Sequence, residues 1–162
     1  MTGVVVVVVL ALALSAAVAV WIRRAASCGR TIDAPAADPA AVFYGGVMCR
    51  YLITSGSLVR LELFDWGVRV RGTVLSRWIV PTWEARYDEL APAELVALRW
   101  SRVAVWFRLR GTSGGIAFLA NGSEEILRQL ERRNLPVNRS VTRIGRVAEL
   151  YGAAERGRQF PR

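Results

Sequence analysis

The chain has 162 residues, 53% of them hydrophobic, and a formal net charge of +9; that length holds one ordinary domain and an appendage. It contains neither histidine nor lysine, so all 22 cations are arginine, which removes histidine acid–base and metal chemistry, Schiff-base lysines and the phosphate-loop lysine together. Two cysteines, Cys28 and Cys49, are too few for a four-cysteine metal site or a disulfide scaffold, and no cofactor is expected.

The hydrophobic excess is local. Gly3–Ile22 carries 18 apolar residues in 20 positions, no charge, and Ser15 as its one polar side chain. At the helical rise, twenty residues span about 30 Å, the thickness of a bilayer core. In lipid even six consecutive valines form a helix, because every backbone group must bond within the segment. Residues 1–24 are therefore expected to be a transmembrane anchor, with Trp21 at the interface and Arg23, Arg24 and Arg30 as flanking charges. Two weaker alternatives are a cleaved signal peptide, with Ala17-Val18-Ala19 as its small-residue site, and a lipoprotein signal ending at Cys28. Met1-Thr2 lacks a basic n-region, and Arg23 and Arg24 separate Cys28 from the apolar run. The three arginines against an uncharged N-terminal flank predict Met1 outside and the rest of the chain on the cytoplasmic face of the inner membrane. Ala11, Ser15 and Ala19 form a small-residue stripe, which an alanine-rich run also shows by chance.

Residues 25–46 contain DAPAADPAA and Gly45-Gly46, and read as a spacer without period. Val42-Phe43-Tyr44 is expected to dock on the domain. From Met48 the pattern alternates. Leu58–Phe64 puts Val59, Leu61 and Leu63 on one face and Arg60 and Glu62 on the other, Asp65-Trp66-Gly67 is a turn, and Val68–Gly72 alternates again, together a β-hairpin. Trp78–Val80 is expected to start a strand that breaks at Pro81 and continues over Trp83–Tyr87. Leu95–Trp100 and Val103–Arg110 follow, the second with Val103, Val105, Phe107 and Leu109 inward and Trp106, Arg108 and Arg110 outward. Gly111–Gly115 is a loop and Ile116–Ala120 a short strand.

One helix closes the series, from about Glu124 to Arg133. Ser123 is the expected N-cap, Glu124 and Glu125 suit the first turn, Ile126, Leu127 and Leu130 form the apolar stripe, and Asn134 and Pro136 end it. The expected fold class is mainly β with a C-terminal capping helix, a bent sheet pair or partly open barrel, plus one N-terminal transmembrane helix. The expected domains are 1–24 anchor, 25–46 linker, 47–137 β domain and 138–162 basic tail.

This order of elements, from about Tyr51 to Val137, resembles a bacterial pleckstrin-homology-like (PH-like) domain. The resemblance rests on SGSLVRLELFDWGVRVRG, on ARYDELAPAEL and on VAVWFRLRGTSGGIAFLANGSEEILRQLERRNLPV. It implies a seven-stranded, strongly bent sheet pair with a C-terminal helix. It also implies a non-enzymatic binding scaffold for peptides, proteins or lipid headgroups. Headgroup-binding members use a basic first-hairpin loop; here that loop is Asp65-Trp66-Gly67, acidic and apolar, and no loop shows a basic pocket.

Chemistry finds little support. Asp88 and Glu89 are adjacent and would point apart on a strand. Cys49 lies beside Arg50 but has no histidine base, so a buried or bystander thiol is expected. Residues 111–115 lack the phosphate-loop lysine. The tail beyond Val137 carries six arginines and two acids, and Val141, Ile144, Val147, Ala148 and Tyr151 stand near helical spacing, weakened by Gly145. Arg139, Arg143, Arg146, Arg156 and Arg158 are the candidate contacts to anionic lipid, weak and nonspecific; nucleic acid is not expected. The leading expectation is a single-pass interaction module with an unknown protein partner. An accessory subunit of a larger membrane complex, or an exported anchored domain facing outward, are the alternatives.

Overall fold

The computed structural model describes residues 2–49, 52–54, 56–98, 103–112 and 115–144. The chain opens with helix α1, Thr2–Ala26. Its side chains are described at residues 6, 7 and 9–20, all of them exposed, and among the described residues no helix is long and apolar enough to cross a membrane. Ser15 Oγ donates to the Ala11 carbonyl at 2.8 Å, so the one polar side chain of the apolar run is satisfied inside the helix.

Among the described residues nine strands follow: β1 Ala41–Cys49, β2 Leu52–Ile53, β3 Val59–Leu63, β4 Gly67–Gly72, β5 Trp83–Arg86, β6 Ala93–Leu98, β7 Val103–Arg108, β8 Gly115–Leu119 and β9 Val137–Ile144, with helix α2 Ser123–Glu131 between the last two. The sheet order is β5-β4-β3-β1-β8-β7-β6-β9, with β2 paired to β1, and it is not closed into a barrel. Neighbours are antiparallel except β6 and β9, which run parallel. β1 belongs to both halves: Ala41–Gly45 pairs with β3 and Gly46–Met48 with β8. Gly45 stands at that changeover. A Cβ there would lie 2.1 Å from the Leu119 carbonyl oxygen, so only glycine lets the two strands approach. The pair Gly45-Gly46, expected in a spacer, is a strand crossing instead, and the β domain begins at Ala41.

The expected hairpin of β3 and β4 forms, with Leu63 opposite Val68, and Val59, Leu61 and Leu63 are buried. Between the halves lies one core, where Phe107, Phe118, Val105 and Trp83 meet Ile126, Leu127 and Leu130 of α2. The capping helix is therefore where its apolar stripe requires. Its N-cap is Gly122 at φ 129°, not Ser123. Ser123 is turned inward, its Oγ 3.4 Å from the Val103 and Ala120 carbonyls, so tertiary bonding replaces the local cap. At the other end Asn134 takes φ 60° and Leu135 N donates to the Leu130 carbonyl, a left-handed helix stop of the expected kind.

Three further expectations are corrected. Trp78–Val80 is not strand: residues 74–79 are turn. Trp106 does not face out but is buried with Met48, Val96, Ala104, Ala117 and Leu119 in a second cluster on the other face of β6–β8. The segment after Val137 begins as a strand, because the parallel pairing with β6 supplies its backbone bonds; Val141 and Ile144 are thus not helical, and Val147, Ala148 and Tyr151 lie outside the described residues. Trp100 also lies outside them.

Candidate functional site at the α1 end of the sheet

Two residues after α1, Cys28 is bonded to Cys49 at the end of β1, with Cα atoms 6.3 Å apart. The expected bystander thiol is therefore one half of a disulfide. Nothing in a spacing of 21 residues announces such a pair; the return of β1 to the α1 end brings it together. The chain then runs along β5. Arg30 N donates to the Thr82 carbonyl and Glu84 N to the Arg30 carbonyl, giving a parallel bridge between Arg30 and Trp83. Ile32 N donates to Glu84 Oε2 at 3.0 Å, and Arg86 Nη2 reaches the Asp33 carbonyl. Part of the expected free linker is thus an edge cover on β5, held by these bonds.

Arg30 Nη2 lies 2.5 Å from Glu89 Oε1. Glu89 also accepts from Arg86 N at 2.9 Å. That backbone bond is the main cause that holds the Glu89 carboxyl below the usual carboxylate range; desolvation opposes it, and the Arg30 hydrogen bond and charge add to the lowering. Glu89 is therefore a clasp on the 28–33 segment.

On the outer face of β3 and β4, Glu62 is 1% exposed, against the expectation that it faces water. Arg60 Nη2 stands 2.6 Å and Arg71 Nη2 2.8 Å from Oε1, and Arg69 Nη1 3.7 Å from Oε2. Arg69 also bonds Glu84 at 2.5 Å and lies 4.8 Å over the Phe64 ring. Burial is the larger effect and pushes the Glu62 carboxyl up, and the charges of Arg60 and Arg69 pull it part of the way back. Burial likewise pushes the Tyr87 phenol up, and its hydroxyl donates to the Phe64 carbonyl.

A cleft of about 400 Å³ opens beside this cluster, lined by Tyr44, Arg60, Arg71, Thr73, Val74 and Arg77 among others. Arg77 is exposed and makes no ion pair among the described residues. A second cleft of about 330 Å³ lies across Tyr44, lined by Gly56, Ser57, Val103 and Asn121. The sequence reading missed the basic cleft because its arginines come from β3, β4 and the following turn. The available signal was that Arg60 and Arg71 become cross-strand partners in the hairpin register.

The rim of the cleft is the 73–80 turn. Thr73 N donates to the Leu58 carbonyl, Ser76 N and Arg77 N to the Thr73 carbonyl, and Ile79 N and Val80 N to the Ser76 carbonyl. Ser76 is buried and its Oγ also donates to the Leu58 carbonyl. Val80 is buried beneath, while Val74, Leu75 and Trp78 are 79%, 78% and 69% exposed.

The residues singled out from sequence are scattered. Trp21, Arg23 and Arg24 fall in α1, where their side chains are not described. Arg139 lies between Glu124 and Glu131 of α2, at 3.2 and 2.7 Å, and Arg143 is exposed on β9. Arg146, Arg156 and Arg158 lie outside the described residues. Among the described residues no group of three or more histidine, cysteine or carboxylate ligands could hold a metal ion. No protein-family model matches the chain, and no curated protein matches its sequence.

Proposed function

We propose that the chain is a single-pass, membrane-anchored, non-enzymatic interaction module on a PH-like scaffold. The observation that carries this reading is the topology. Two antiparallel runs, β1-β3-β4-β5 and β6-β7-β8, share β1 and are followed by one helix that enters the core between them, as in the bent sheet pair of that family. The anchor rests on the sequence of Gly3–Ile22 and on the uncovered apolar side chains of α1, which need a nonpolar surrounding.

The sheet has two edges. Residues 30–32 cover part of β5. β9 is the outermost strand at the other end and is exposed along most of its length, Val141 included. An open edge is a template for strand addition, so β9 is assigned to the protein partner. A photo-crosslinking residue at Val141 of the full chain in native membranes tests this. The expected result is one discrete adduct that is absent when the same residue replaces Asp65. Equal or absent crosslinking at both positions would remove the assignment.

The disulfide bears on the side of the membrane. Such bonds are rare in the cytosol, so Cys28–Cys49 favours a domain on the oxidising side. The cytoplasmic face is the second reading, favoured by Arg23, Arg24 and Arg30.

A further inference from the structure

We propose that the 73–80 turn is a lipid-inserting tip, with Val74, Leu75 and Trp78 entering the membrane interface and Arg77 at the level of the lipid phosphates. The inference rests on the reading of α1 as an anchor and adds where the domain touches the same membrane.

The turn leaves the sheet after Gly72, opposite Val59, and returns at Trp83. Arg30 bridges to Trp83, and the chain from Cys28 runs parallel to β5, so Cys28 lies at the same end of the sheet as the turn. Two residue steps, at most about 7 Å of chain, separate Ala26 at the end of α1 from Cys28, which is bonded to Cys49 at that end. A helix embedded in a bilayer therefore brings this end of the sheet, and not the Asp65 end, to the lipid surface.

Three large apolar side chains stand out from water-facing turns at more than two thirds exposure, with an arginine between Leu75 and Trp78. Tryptophan and arginine beside aliphatic side chains are the composition of an interfacial segment. The turn is also preorganised. Its amides are bonded to Thr73 and Ser76, Ser76 ties it to Leu58, and the Trp78 indole nitrogen donates to the Leu75 carbonyl at 3.1 Å. Insertion would thus strand no indole donor and order no loose loop. A protein surface in place of lipid is the competing occupant.

The test uses the full chain in phosphatidylglycerol–phosphatidylcholine vesicles, with a genetically encoded dansyl residue at Leu75 or, as control, at Asp65. Alkaline carbonate extraction reads the anchor separately. The expected result is retention in the pellet, a blue-shifted emission at position 75, and several-fold stronger quenching there than at position 65 by lipids nitroxide-labelled near the headgroup. Retention with equal quenching at both positions overturns the tip and spares the anchor. A blue shift at position 75 without quenching by labelled lipid means that protein covers the tip, and also overturns it. Release by carbonate overturns the anchor reading and the tip with it. As a second measure, Trp78→Asp should reduce quenching at position 75 at least twofold while retention is unchanged; unchanged quenching counts against insertion.

Discussion

Glu62 is held by charge and not by solvent. Its carboxylate is buried at the centre of Arg60, Arg69 and Arg71, and removing it leaves three guanidiniums facing one another. Loss of one member of a buried ion pair costs about 3–5 kcal/mol, and the partial exposure of the three arginines lowers that figure through solvent screening. Glu62→Ala is therefore expected to destabilise the protein by about 2–3 kcal/mol in thermal unfolding followed by circular dichroism in detergent. A shift below about 0.5 kcal/mol would mean that the cluster is ornamental. Glu89 carries a pH dependence of defined sign. Its folded pKa is depressed by the Arg86 amide and by Arg30, so its contribution is present above the unfolded value, about 4.3, and is lost as pH falls through the lower folded value. Glu89→Gln should make the loss of stability below pH 4.5 shallower than in the wild type. An unchanged slope would show that the Arg30 clasp contributes nothing to folding.

At the scale of elements, the disulfide and α2 do different work. Cys28–Cys49 closes a loop of 21 residues, which by loop-closure entropy is worth about 3 kcal/mol. Alkylation of unreduced native membranes followed by mass measurement should find both cysteines unmodified. Modification of both would place the pair in a reducing compartment and favour the cytoplasmic face. Reduction should lower the unfolding temperature and leave the core clusters assembled, since Cys49 and Cys28 sit at one end of the sheet. Helix α2 instead closes the core. Leu127 and Leu130 are fully buried, and truncation of either to Ala should cost about 2–5 kcal/mol, read as a fall in the denaturation midpoint. Costs under about 0.5 kcal/mol for both would show that the helix is not part of the core.

At the scale of the whole molecule, the functional reading depends on which end of the sheet meets the membrane. The sheet end nearest α1 carries the disulfide, the arginine cleft and the apolar turn, while Asp65 lies at the far end. A reporter active only outside the cytoplasm, fused after Arg162, should be active if the disulfide reading of the membrane side holds; activity of a cytoplasm-only reporter at the same site would reverse it.

Periodicity made the local elements legible. Alternation over Leu58–Gly72 and Val103–Leu109, and the three-and-four spacing of Ile126, Leu127 and Leu130, placed the hairpin, β7 and α2, because burial on one face imposes the period of the backbone. The apolar run of Gly3–Ile22 predicted helix for the same reason of backbone satisfaction. Long-range pairing left no such period. Cys28 meets Cys49 only because β1 returns to the end where the chain left α1, and Arg60, Arg71 and Arg77 share a cleft only because β3 and β4 align in register. Glu62 and Trp106 obey the alternation yet are buried, since a strand pattern tells which face a residue takes but not what covers that face. Trp78–Val80 has strand-like residues but finds no neighbour to supply its ladder bonds, whereas Val137–Ile144 finds β6. Backbone hydrogen bonds between distant segments made that choice, and they exist only once the sheet is assembled.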